Sequence, residues 1–261
     1  MTDPTPLDLA HAAMTDAPDD DTARLGFYER LADGELFLLL DAEPEGDAIS
    51  PRPFATEDGT FVLVFDREER LAAFAETTAP YAALSGRLVA SMLAGQGFGL
   101  AVNPGVAPSS ILIPAPAVDW LAQTLAHAPE ATEARAQEFT SPGGLPERLI
   151  TALDTKLAAA AGLARMAYLV GVSYDGGGRS HLLAVVNPAP GAEAALARAV
   201  AEALTFSGIE AGALDVGFFK ASDPVTAKLA RVGLRFDLPE PPTAAEPQTP
   251  GSDPARPPIL R

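Results

Sequence analysis

The sequence predicts an α+β protein of two small mixed-sheet domains, with helices packed on the sheets and a disordered arm at each end. Three observations carry this. Short apolar runs of strand type alternate with stretches whose apolar residues recur at helical spacing. The alternation runs through two cycles, separated by the turn-rich TSPGG at Thr140 to Gly144. Both ends are polar and punctuated by proline. At 261 residues with 48% hydrophobic and 20% charged side chains, the chain can build two cores.

Residues 1–21, acidic and proline-punctuated, read as a mobile arm. Residues 22–130 form the first domain. Phe27 and Leu31 share one face of a helix that Asp33-Gly34 ends, and ELFLLLD then reads as a strand buried on both faces. Asp58-Gly59 signals a hairpin turn before a strand from Thr60 to Phe65. Asp66 stands where a helix cap belongs, with Glu69 in the capping-box position and Leu71 and Phe74 inward. Gly97 to Val102 and Ser110 to Ile113 are strands, and Val118, Leu121 and Leu125 form a helix stripe.

Residues 131–144 read as a linker and 145–238 as the second domain. There Leu145, Leu149, Leu153 and Leu157 mark a helix entered at Pro146. Met166 to Ser173 and His181 to Val186 are strands joined at YDGGGR as a hairpin. A helix carries Leu196, Val200 and Leu204, a strand spans Asp215 to Phe219, and a last helix is capped at Asp223 and stopped at Gly233. Residues 239–261 are a Pro-rich disordered tail, holding eight of the 25 prolines before Arg261 is reached.

Charge and composition exclude several classes of function. Asp and Glu number 35 against 18 Lys and Arg, for a net charge of -17, so neither nucleic acid nor an anionic membrane is expected as a partner. With no cysteine, thiolate catalysis, disulfides and zinc-thiolate sites are ruled out. The start of the chain lacks the pattern of a secretory signal, and no apolar run is long enough to span a bilayer, so the expected location is cytoplasmic.

No catalytic constellation assembles in the sequence, and no cofactor or metal is expected. The triglycine Gly176 to Gly178 lacks the Lys-Ser/Thr and helix of a phosphate loop. His11, His127 and His181 are scattered and read as surface residues. Glu43, Glu45 and Asp47 form a solvated acidic loop without calcium-loop spacing. Two apolar strands end in Asn-Pro: GFGLAVNPG, with Asn103, Pro104 and Gly105, and HLLAVVNPAP, with Asn187 and Pro188. Asn before Pro leaves the helical region and closes an Asx-type turn, so both read as strand exits, the second a coincidence of composition. The functional alternative gives Asn103 and the Gly105 N–H to a ligand. Phe218 and Phe219 raise the prospect of an oligomer seam or a partner site.

The series FYERLADGELFLLL, FATEDGTFVLVFDREERLAAF, YAALSGRLVASMLA and GFGLAVNPG resembles the N-terminal domain of the SseB family, named for a protein linked to enhanced serine sensitivity. The stretch from LPERLITALDTKL to DVGFFKASDPVTAKLARVGLRF is similar to the family's C-terminal domain. The resemblance implies a soluble bacterial protein with no established catalytic residues, so it transfers none. The leading expectation is a non-enzymatic protein acting through an unknown protein partner or by small-molecule sensing in amino-acid or stress physiology. Two alternatives stand beside it: a cofactor-independent enzyme using carboxylates in a cleft near Asn103, and a self-assembling scaffold.

Overall fold

A computed structural model describes residues 3–44, 46, 49–127, 129, 136–175, 178–209 and 214–240. Within them the chain builds eight helices and two mixed sheets. In chain order the first half holds α1 (Pro6–Asp16), α2 (Asp21–Asp33), β1 (Glu35–Leu39), β2 (Pro53–Thr56), β3 (Gly59–Phe65) and α3 (Glu68–Ala75). It continues with β4 (Tyr81–Ser85), α4 (Gly86–Leu93), β5 (Gly99–Val102), β6 (Ile111–Ile113) and α5 (Ala115–Ala126). The second half holds β7 (Ala136–Thr140), α6 (Glu147–Ala159), β8 (Met166–Tyr174), β9 (Arg179–Val186), α7 (Glu193–Phe206), β10 (Leu214–Phe219), α8 (Pro224–Val232) and β11 (Leu234–Asp237).

The first sheet runs β4-β1-β3-β5-β6, with β2 paired to the start of β3. β3 and β5 are parallel, and every other pair is antiparallel. Because side chains alternate across a strand, Leu36, Leu38, Val62, Val64, Leu100 and Val102 face one core under α1, α2, α4 and α5. Leu39, Phe61, Leu63, Phe65 and Ala101 face a second, under α3. Burial of β1 on both faces follows the sequence.

The second sheet runs β10-β9-β8-β11, with β7 also on β8, and only β9 and β10 are parallel. Ala167, Leu169, Leu183 and Val185 pack under α6 and α7. Tyr168, Val170, Leu182 and Ala184 pack under α8. Leu149, Leu153 and Leu157 are buried as their spacing requires, while Pro146 is the cap residue, one step before the helix.

Three expectations give way. The arm of residues 1–21 contains helix α1, because Thr5 and Asp8 close a capping box and Leu7 enters the first core. Acidic composition misled where the two residues of the capping box decided. Of the 131–144 linker, residues 131–135 lie outside the described part, but 136–140 are strand β7, paired to β8 with a register shift between Ala136 and Glu138. Asp66 does not cap α3: the cap residue is Arg67, and the Asp66 carboxylate is taken by Thr5 and Arg70 instead. The tail beyond Glu240 lies outside the described residues, as do Gly176, Gly177, Glu45 and Asp47.

Gly86 shows how tightly α4 seats on α2. A Cβ there would stand 1.8 Å from the Leu31 carbonyl oxygen, a backbone atom that cannot move aside. Gly86→Ala therefore forces α4 off α2 and is expected to cost about 3 kcal/mol, near the upper end for overpacking. Urea denaturation of the two proteins measures it.

Candidate functional site

Asn103 follows β5 with φ 46, a left-handed conformation that asparagine tolerates better than most side chains. It is fully buried. Its backbone N–H donates to the Val64 carbonyl at 2.9 Å, and its Oδ1 accepts from the Asp66 N–H at 3.2 Å. The Asn103 Nδ2 donates to Ser109 Oγ at 2.9 Å, and Ser109 Oγ donates to Asp8 at 2.6 Å. Asp8 also holds both terminal nitrogens of Arg70, which reaches on to Asp66. Burial works against the Asp8 charge, but hydrogen bonds from Arg70, Ser109 and the Thr5 N–H hold its carboxyl well below the usual range. The Gly105 N–H is not open to a ligand, since it donates to Ser110 Oγ at 3.0 Å, and Pro104 is half-buried. These residues join the end of β5 to α1 and α3.

Asn187 repeats the device. It has φ 51, its N–H donates to the Phe219 carbonyl at 2.8 Å, and its Oδ1 accepts from the Ala221 N–H at 2.8 Å. In both domains an asparagine at the end of one parallel strand bonds residue n and residue n+2 leaving its parallel neighbour. The second Asn-Pro pair is thus no coincidence. One signal could have revealed it: Asn103 and Asn187 are the only asparagines in the chain, and both precede proline. Phe218 and Phe219 lie half-buried on β10 and point to opposite faces, Phe218 against the core under α6 and α7, Phe219 against the core under α8.

Among the described residues the largest collection of buried charge lies elsewhere, where the two domains meet. Lys156 of α6 is buried, and its ammonium lies 2.6 Å from Asp33, 3.1 Å from Glu202 and 3.4 Å from Glu29. Three N–H donors thus face three carboxylates. Arg87 of α4 closes the ring, at 2.7 Å from Asp33 and with both terminal nitrogens on Glu202 of α7. Helical spacing makes the arrangement: Glu29 and Asp33 are four apart on α2, so they share a face. Burial disfavours the Lys156 charge, but the hydrogen bond to Asp33 and the attraction of Asp33, Glu29 and Glu202 outweigh it and raise its pKa. For Glu29 burial wins over Lys156 and Arg30, and its pKa is raised. Among the described residues Glu29 Oε1 accepts no hydrogen bond, with Lys156 as a charge neighbour at 3.4 Å.

Beside this ring an open cleft of about 540 Å³ lies between the domains. Its small residues, Ala32, Ala159, Ala160, Ala195 and Ala199, leave room, and Arg30, Arg87, Lys156 and Arg198 bring four cations. Asp33 and Glu202 also line it. Next to the ring, Phe206 of α7 enters the first domain's core and meets Trp120 edge-on at 6.5 Å, and Tyr28 meets Trp120 edge-on at 5.3 Å. None of the charged cleft residues stood out in the sequence as a site, because they are spread over α2, α4, α6 and α7 and meet only when the domains dock.

Residues 9–120 match the family model of the SseB protein N-terminal domain. The match spans most of the first domain and none of the second sheet. No curated protein and no solved structure matches the chain. No helix among the described residues is long and apolar enough to cross a membrane.

Asn103→Ala removes the acceptor for Asp66 and the donor to Ser109 and strains the backbone, and should cost about 3 kcal/mol in urea unfolding. Glu29 has a raised pKa in the fold, so its favourable contribution is full at pH below the ordinary carboxylate range and is lost as pH rises through the folded value. Glu29→Gln is therefore expected to be more stable than the parent at neutral pH, the gain vanishing on acidification. Thermal unfolding across pH 4 to 8 reads the crossover.

Proposed function

We propose that this chain, whose residues 9–120 match the SseB N-terminal domain model, is a non-enzymatic recognition protein that senses a small anionic molecule in the cleft between its two domains. The observation that carries this reading is the gathering of cations. Only 18 Lys and Arg are spread over a chain of net charge -17, yet four of them line one cleft. Elsewhere the protein's field repels anions, so an anion is focused where Arg30 and Arg198 stand beside the ring. Arginine suits the task, since its planar fork takes carboxylate or phosphate through two parallel bonds. Arg30 comes from the first domain and Arg198 from the second, so a bound anion bridges both.

Recognition is favoured over catalysis by the state of the carboxylates near Asn103. Asp8 and Asp66 are both tied to Arg70, and Asp8 is held ionised, which makes it a poor proton donor. Such a sensor would work in the cytoplasm, in amino-acid or stress physiology, and pass the signal on through the relation of its domains.

Trp120, the single tryptophan, stands at the domain seam and serves as reporter. Titration of the full chain with succinate, citrate and inorganic phosphate is expected to change its fluorescence saturably for at least one of them. Arg30→Ala and Arg198→Ala should each weaken that response roughly tenfold, the scale of one charge-assisted hydrogen bond. Silence from all three anions, or a response that survives loss of both arginines, overturns the reading.

A further inference from the structure

The second sheet holds a pocket of different chemistry, away from the interdomain cleft. Along the face that packs under α6 and α7, β8 and β9 are apolar at Ala167, Leu169, Leu183 and Val185. The same face continues through Gly171 and Ser173 of β8 and through His181 and Arg179 of β9, because side chains alternate with period two. β7 adds Thr140 opposite Gly171 and Glu138 opposite Ser173. Two rows of three cross the sheet: Thr140, Gly171, His181, and beside them Glu138, Ser173, Arg179. All six line one pocket of about 630 Å³, walled by the loop from Ser141 to Pro146 and by Ile209.

The floor of this pocket is dipolar. Glu138 stands on one side, Arg179 and His181 on the other, and the Ser173 hydroxyl lies between. A full strand separates the acid from the bases, about 10 Å from backbone to backbone. Among the described residues neither Glu138 nor Arg179 forms an ion pair. Direct cross-strand neighbours of opposite charge neutralise each other; these two are placed so that something between them can use both. His181 Nε2 lies 3.0 Å from the Gly143 carbonyl and carries the hydrogen of that bond, which ties the loop to the floor. Gly171 keeps the centre low, as a Cβ there would stand 2.5 Å from Thr140 Oγ1.

We propose that this pocket is a binding site for a small zwitterion, a molecule carrying a carboxylate and an ammonium a few bonds apart. The carboxylate is taken by Arg179 and the ammonium by Glu138, with Ser173 and Thr140 supplying hydroxyls to the middle. A simple anion meets Glu138 and a simple cation meets Arg179, so each is opposed where the zwitterion is matched on both sides.

The test is an NMR titration of the full ¹⁵N-labelled chain with glycine, acetate and methylammonium. Glycine is expected to shift the amides of Gly143, Gly144, Gly171 and Ser173 saturably, and the two single-charge probes to shift them far less. Arg179→Ala and Glu138→Gln, both at exposed positions, should leave the rest of the spectrum in place and weaken glycine roughly tenfold each. Arg198→Ala, in the interdomain cleft, should leave glycine binding unchanged. No shift with glycine, equal shifts with acetate or methylammonium, or an unchanged titration in either pocket variant overturns the proposal.

Discussion

Lys156 brings a full charge into the seam between two domains, where it would cost several kcal/mol without partners, and the rest of the molecule is arranged around supplying them. α2 gives Glu29 and Asp33, α7 gives Glu202, and α4 gives Arg87 to balance the excess of carboxylates. Such a ring adds little net stability, because desolvation consumes most of the Coulomb gain. The adhesive term lies beside it: burying Phe206 in the first core contributes about 2–3 kcal/mol. The ring sets the register instead. Residues one turn from Glu202 on α7 are Arg198 and Phe206, so a slide of that size would cost Lys156 its carboxylate there.

That division of labour explains how a cleft and a tight interface share one seam. The apolar contacts of Phe206, Trp120 and Tyr28 hold one side closed. Opposite them, alanines on α6 and α7 keep the helices from filling the gap. Arg30 and Arg198 then stand over space rather than over protein. The second pocket follows another logic, since it lies within one sheet and depends on no docking of domains.

What the sequence disclosed was local. Leu149, Leu153 and Leu157, the strand at Leu36 to Leu39, and the stop at Gly233 all obey periodicity or cap chemistry, which a linear reading sees. Helix α1 was hidden by acidic composition, although Thr5 and Asp8 carried its signature. Asp66 and Glu69 fit a capping box in spacing, yet Arg70 and Thr5 made Asp66 a better offer from outside the helix. The charged seam was illegible for a different reason. Glu29, Arg87, Lys156 and Glu202 are each an ordinary surface residue of an amphipathic helix until four helices from two domains converge.

The two strand-end asparagines have a chemical consequence as well as a structural one. Asparagine ages by deamidation when the next residue's backbone nitrogen attacks the side-chain amide and closes a succinimide. Proline's nitrogen has no hydrogen to lose and cannot take that path. Because Pro104 and Pro188 follow Asn103 and Asn187, and the chain has no other asparagine, this common route of covalent decay is closed along its whole length. The residues that fasten the parallel strands thus sit in the one sequence context that preserves them.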